Sequence, residues 1–345
     1  RPSTIEKATL RKEKSIKQTD EVARPWKRLY SPVATELAAA EDLLRGELAS
    51  DDPFVDSLVK HAFRLGGKRL RPALVLLSAK ATGQIAPSHI VLSAVVEMIH
   101  TATLVHDDVL DEASIRRHRE TINARNDNEA SVLVGDFLFT HAFALASSLE
   151  TTFACQTIGR ATNTVCAGEL RQIGSRSNFE LSEAEYLSII EAKTAELCAC
   201  CCRLGAHYAD ASAEREEALA RFGRNLGIAF QIADDLLDLV GNEDSMGKSL
   251  GTDLDKQKPT LPVIHLLKQC TPSERREAIA LVTSHDRTAR TRLHSWLDES
   301  GSLAYTRAKA EQFATAARDE TRPLPESPSR DVLVTLTELV VSRQD

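Results

Sequence analysis

The sequence predicts an all-α protein, a helical bundle forming one domain. Three observations carry this. Ala and Leu fill long stretches while Gly (15) and Pro (12) are sparse, a balance that favours helix over sheet. From Leu29 onward, segment after segment repeats apolar residues at helical spacing. No alternating run is long enough to demand a sheet, and without strand signals between the helices an α/β fold is not expected. With 345 residues, 42% of them hydrophobic, the chain can bury one large core.

Residues 1–28 are polar and basic, with Arg11, Lys12, Lys14 and Lys17, and read as a flexible arm; 29–345 read as a single domain. Val33–Leu48 forms the first amphipathic segment and Pro53 punctuates its end. Further helices are expected over 54–64, 71–82, 87–110, 128–149, 153–174, 182–206 and 212–240. Five more follow over 259–269, 272–284, 286–299, 301–318 and 328–343.

A net charge of −7 gives no indication of a nucleic-acid partner. There is no run of eighteen apolar residues, so no membrane span is expected. The first residues lack the apolar core of a secretory signal. Among seven cysteines, Cys198, Cys200, Cys201 and Cys202 crowd one helical stretch. Neighbours on a helix are badly placed to pair, so a reducing cytoplasm is expected. Cys198 and Cys201 form a CxxC, but no second CxxC or His pair completes a zinc site, and the four read as small core residues.

Two acidic clusters echo each other: His106-Asp107-Asp108-Val109-Leu110-Asp111 and Ala233-Asp234-Asp235-Leu236-Leu237-Asp238. Each ends an apolar helix. Positions i and i+4 share a helix face, so Asp107 projects with Asp111, and Asp234 with Asp238. Such carboxylates repel one another and are costly to desolvate; a divalent cation resolves the cost. Mg²⁺ takes only one or two carboxylates and completes its shell with water and phosphate. Two such clusters facing across a cavity could therefore hold several Mg²⁺ ions around one diphosphate. One cluster alone could be a solvated acidic helix end; two copies on apolar helices make that improbable.

Basic residues complete the pattern. Gly66-Gly67-Lys68-Arg69-Leu70-Arg71-Pro72 opens an apolar helix, placing cations beside a helix N-terminus, where phosphate binds readily. Arg116 and Arg117 follow Asp111, and their planar forks suit phosphate. Lys193-Thr194 interrupts an Ala-rich helix, while Lys248 and Lys258 flank Gly251-Thr252-Asp253. Taken singly, each lysine could be a surface residue. Together with two metal-binding faces they supply one metal-bridged and one purely cationic diphosphate site.

The segments GGKRLRP (66–72), IHTATLVHDDVLDEASIRR (99–117), VLVGDFLF (132–139), GELRQ (168–172), KTA (193–195), FQIADDLLD (230–238) and GKSLGTDLDKQKPTLP (247–262) resemble the trans-prenyl diphosphate synthases. The resemblance runs from about Leu29 to Arg343 and is nearest to the long-chain octaprenyl members. It implies an all-α bundle around a deep central cavity, assembled as a homodimer. Asp107, Asp111, Asp234 and Asp238 would bind Mg²⁺, three ions once the allylic diphosphate is in place. Arg116, Lys193, Thr194, Gln231, Lys248 and Lys258 would contact the allylic diphosphate. Lys68, Arg71, His100 and Arg117 would hold isopentenyl diphosphate without metal. Asp107, Asp111, Lys193 and Asp234 would be catalytic: charge growing on the departing diphosphate is stabilised, and the isopentenyl double bond attacks the allylic cation. The released diphosphate takes the proton. No Ser-His-Asp or Cys-His set is needed, and apolar helices exclude water.

His118 stands where a glycine commonly follows the Arg-Arg pair, and Gln257 where one precedes Lys258, which puts the geometry of both loops in question. Arg343 could close over the isopentenyl site or be a solvated end. Thr103 and Ala102, four and five residues before Asp107, occupy places where bulky aromatics stop short products in the family; both are small, and a C30 to C50 product is expected, octaprenyl first. A bulky residue deeper down, Met98 or Phe137, would instead give geranylgeranyl diphosphate. A class I terpene cyclase has no use for a second diphosphate site, and a non-catalytic subunit of a heteromeric synthase would have lost motif residues, whereas here none is missing. A helical metal-binding protein without catalysis leaves the cations unexplained.

Overall fold

The computed structural model describes residues 28–64, 67–240 and 251–342; the arm before Arg28, together with Gly66, Lys248 and Arg343, lies outside them. In chain order the helices are α1 (Ala34–Glu47), α2 (Pro53–Arg64), α3 (Leu70–Thr82), α4 (Pro87–Leu110), α5 (Ile122–Arg125), α6 (Asn128–Ser147), α7 (Phe153–Gly174) and α8 (Glu183–Ile190). Then come α9 (Glu196–His207), α10 (Ala213–Val240), α11 (Thr252–Asp255), α12 (Leu261–Gln269), α13 (Pro272–Val282), α14 (Arg287–Glu299), α15 (Ser302–Asp319) and α16 (Pro328–Ser342).

The core explains why the long helices are apolar on most sides. Helix α3 buries Ala73 through Ala79 without a break, so it is a central rod rather than an amphipathic surface helix. It packs against α4, α9 and α16, while α10 packs against α9 and α15. The four clustered cysteines are buried in α9 as expected, and all seven are free thiols. Burial pushes the Cys200 thiol up to about 12, which keeps it inert.

Two local features depart from the expected run of helices. A two-stranded ribbon pairs β1 (Ile115–Arg116) with β2 (Arg119–Glu120), with Arg116 opposite Arg119. Its two-residue loop has φ of 50° at Arg117 and 61° at His118, the signature of a type I′ turn. The helix expected over 182–206 is broken at Glu191–Ala195 by one π-helical turn. Two neighbours press against that turn. A Cβ on Gly168 of α7 would lie 2.7 Å from the Lys193 backbone nitrogen, and one on Gly227 of α10 would lie 2.5 Å from Ala195 Cα.

Helices α4 and α6 are both long and apolar enough to span a bilayer by length and composition. Two-thirds of the α4 window is buried in the core, but only 33% of the α6 window. The rest of α6 is an apolar outer face bearing Val132, Leu133 and Phe137.

Candidate active site

The C-terminal half of α4 supplies the first acidic cluster. His100, Thr103, Asp107 and Asp111 recur at helical spacing and are all half-buried, so they line one stripe. Asp108 turns inward, is 2% exposed, and accepts a 2.8 Å bond from Arg116 Nε. Burial raises the Asp108 carboxyl while Arg116 opposes the rise. Arg116 thereby clamps the ribbon to the end of α4.

Asp107 lies within electrostatic reach of Lys193 on the π-helical turn. Its carboxyl is raised by burial, lowered by Lys193 and raised again by Asp111. Lys193 Nζ stands 2.6 Å from Glu169 Oε1 and donates to Gln172 Oε1 at 2.9 Å. Glu169 is itself raised, first by burial and then by Asp107. The structure thus adds Glu169 and Gln172 to the site. Both lie in the GELRQ segment, and their i, i+3 spacing was the available signal.

The second cluster lies within the last two turns of α10. Asp235 is its hub, 2% exposed. It accepts from Tyr186 OH at 2.7 Å and from Gln231 Nε2 at 2.8 Å. Gln231 Oε1 in turn accepts from Thr194 Oγ1 at 2.7 Å, which brings together two residues expected at the allylic diphosphate. Lys258 Nζ lies 3.0 Å from Asp253 and 3.6 Å from Asp235. Burial pulls the Lys258 ammonium down, but Asp235 and Asp253 outweigh it and the net shift is upward. Asp238 accepts from the Asp253 backbone N–H at 3.1 Å through Oδ2, which anchors the 251–258 segment to α10. Asp234 remains half-exposed on the same turn.

The two acidic helix ends are linked through shared neighbours. Lys193 touches the first cluster's surroundings while its neighbour Thr194 is bonded into the second. Across the mouth, Lys256 Nζ reaches Asp111 Oδ1 at 2.7 Å from the segment held by Asp238.

A separate cationic pocket lies further along α4. Arg71 donates to His100 Nε2 at 3.1 Å, which leaves the imidazole proton on Nδ1. Burial pushes the His100 pKa well down, and Arg71, Arg117, Arg116 and Arg69 push it further, so the ring is neutral. Arg117 is lowered to about 10, first by burial and then by Arg116. Its guanidinium lies flat against Gly67, where an added Cβ would sit 2.3 Å from a terminal nitrogen. Lys68 is half-buried at the mouth of the same turn. Arg69, by contrast, bonds Glu97 and Glu41 and braces α3 to α1 and α4.

Both loops that lack the family's glycines keep a left-handed backbone. His118 has φ 61° and Gln257 φ 52°. Gln257 is compensated: its Oε1 accepts from Ser177 Oγ at 2.6 Å and its backbone oxygen from Ser177 N at 2.8 Å. Of the two floor positions, Thr103 shares the half-buried stripe of Asp107, while Ala102 is fully buried, turned about 140° from Asp107 at 100° per residue. Phe137 is 37% exposed on α6. Met98 is fully buried in the core.

Fold and site together define an all-α enzyme of the isoprenoid-synthase type. A family model described as polyprenyl synthetase matches residues 52–299, and the chain belongs to that family of prenyltransferases. It is 35% identical over 311 residues to the octaprenyl diphosphate synthase of Escherichia coli, covering 90% of this chain and 96% of the relative. Identity to the octaprenyl diphosphate synthase of Haemophilus influenzae is 39% over 300 residues, 86% of this chain and 91% of the other. The crystal structure of a decaprenyl diphosphate synthase from Rhodobacter capsulatus superimposes with a TM-score of 0.88 at 35% identity, over 93% of this chain and all of that one.

Proposed function

We propose that the protein lengthens an allylic diphosphate by successive trans additions of isopentenyl diphosphate to a long-chain product, octaprenyl diphosphate first. The observation that carries this is the coexistence of two unlike anion sites, one acidic and one cationic, along a single face of α4. A carboxylate site has no affinity for a diphosphate unless cations intervene; an arginine site needs none. The names of the relatives, octaprenyl and decaprenyl, support the long product.

Asp107 and Asp111 on one side and Asp234 and Asp238 on the other would hold Mg²⁺, three ions with the allylic diphosphate present. Among the described residues no three ligating side chains form a closed metal cage; sparse protein ligation suits Mg²⁺, which draws its remaining ligands from water and phosphate. Bound there, Mg²⁺ would supply Lewis-acid stabilisation of charge growing on the leaving diphosphate. Lys193, Arg116, Lys248 and Lys258 fix the same diphosphate, and Thr194 and Gln231 hold the π-helical turn in register with α10. Lys68, Arg71, Arg117 and neutral His100 orient isopentenyl diphosphate. The small Thr103 side chain leaves the growing tail a path along α4.

The outer face of α6, with Leu170 and Ile173 of α7, suits a second copy of the chain, and a homodimer is the proposed assembly. Seven free thiols suit a reducing cytoplasm.

The test is chromatography of products made from labelled isopentenyl diphosphate with farnesyl diphosphate as primer. A C40 product is expected, within a C30 to C50 range; a dominant C15 or C20 product overturns the long-chain reading.

A further inference from the structure

We propose that Lys256 is a built-in counter-ion for the first acidic cluster, sharing Asp111 with the divalent cation and withdrawing when the ion arrives. The inference rests on the reading of Asp111 as a Mg²⁺ ligand.

Lys256 sits on a short, well-anchored turn. Gly251 N–H bonds the Asp238 backbone oxygen at 2.9 Å, and Asp253 N–H bonds the Asp238 carboxylate at 3.1 Å. On the far side, Ser177 holds Gln257 through both backbone and side chain. Lys258 Nζ bonds Asp253 at 3.0 Å. The tip between these anchors carries Lys256, whose ammonium crosses to Asp111 at 2.7 Å. Arg176 is the other cation near Asp111, at 3.9 Å.

Without a cation, the charge of Asp111 adds to the cost of ionising Asp107 and Glu169, which are themselves partly buried. Lys193 is already committed to Glu169 and Gln172. Lys256 therefore meets the charge of Asp111 in the metal-free enzyme. A Mg²⁺ ion on Asp111 and this ammonium repel each other, so binding the ion costs the ion pair. Because the turn is tied to Asp238, occupancy of the first cluster is felt at the second.

The pair is partly exposed, 27% for Lys256 and 36% for Asp111, so its contribution is modest. Lys256→Met keeps the length of the side chain and removes the charge. Titration with Mn²⁺ alone, followed by the electron paramagnetic resonance signal of the free ion, should show about two- to fivefold tighter binding than wild type. In EDTA the same variant should melt below wild type, and Lys256→Arg should restore both readouts. Unchanged or weaker Mn²⁺ binding by Lys256→Met overturns the proposal. Asp111→Asn separates the two ideas: if it binds Mn²⁺ as wild type does, the metal-ligand reading itself fails, whereas weaker binding in Asp111→Asn with no change in Lys256→Met sinks the counter-ion alone.

Discussion

Gly67→Ala offers a sharp test of the cationic pocket, because it perturbs Arg117 without touching any charge. An ideal Cβ at residue 67 would lie 2.3, 2.4 and 2.5 Å from the three guanidinium atoms of Arg117. Ordinary contact starts near 3.4 Å, so the guanidinium must retreat by about 1 Å. The obstructed atoms are the far end of a flexible side chain, and the backbone at Gly67 is not left-handed. The fold should therefore tolerate alanine, with a melting temperature close to wild type. The binding geometry should not. A charge-assisted hydrogen bond contributes about 1.5–3 kcal/mol, so losing the Arg117 contact should raise the KM for isopentenyl diphosphate about ten- to a hundredfold. The assay is steady-state turnover with isopentenyl diphosphate varied at saturating allylic primer, then the reverse. The KM for the primer should move less than about threefold. An unchanged isopentenyl KM, or an equal rise for both substrates, would refute the assignment of Arg117 to a separate pocket.

Asp107→Asn should lower turnover by at least about 10²–10³-fold, the usual cost of removing one transition-state electrostatic contact. Burial raises the Asp107 carboxyl above its ordinary value, so its ionisation opposes folding. That cost is absent below the unfolded value near about 3.9 and grows as pH rises through the folded value. In EDTA the variant should therefore melt above wild type at pH 8, with the difference narrowing toward pH 4. A variant less stable than wild type throughout would contradict this. His118→Gly should stabilise the protein by about 0.5–1 kcal/mol in urea denaturation, because the type I′ turn holds a non-glycine residue at φ 61°. Gln257→Gly should gain less, since it also loses the 2.6 Å bond from Ser177. Equal gains at both positions would show that the Ser177 contact contributes nothing.

The helices were legible because their apolar spacing is a local signal; α10, expected over 212–240, is found at Ala213–Val240. The π-helical turn at Lys193 was not, since it arises from Gly168 and Gly227 pressing on either side, a tertiary contact with no local signature. The ribbon escaped for a related reason: its turn is formed by Arg117-His118 instead of the Asn-Gly pair that announces a hairpin. In the site, residue types at helical spacing single out Asp107 with Asp111 and Asp234 with Asp238 as candidates. They could not reveal which charges are spent on structure. Arg69, adjacent to Lys68 in sequence, is committed to Glu97 and Glu41, whereas Lys258, expected at the diphosphate, also pairs with Asp253 and Asp235. Those assignments depend on which side chains the fold brings opposite.

The proposed reaction divides its two substrates between an acidic, metal-bridged diphosphate site and a cationic, metal-free one. A crystal structure with Mg²⁺, isopentenyl diphosphate and a thiolo analogue of the allylic diphosphate would test it most directly. Mg²⁺ is expected between the analogue and Asp107, Asp111, Asp234 and Asp238, with isopentenyl diphosphate on Lys68, Arg71, His100 and Arg117 and no metal within reach. Metal ions bridging isopentenyl diphosphate, or the allylic diphosphate seated in the arginine pocket, would contradict it.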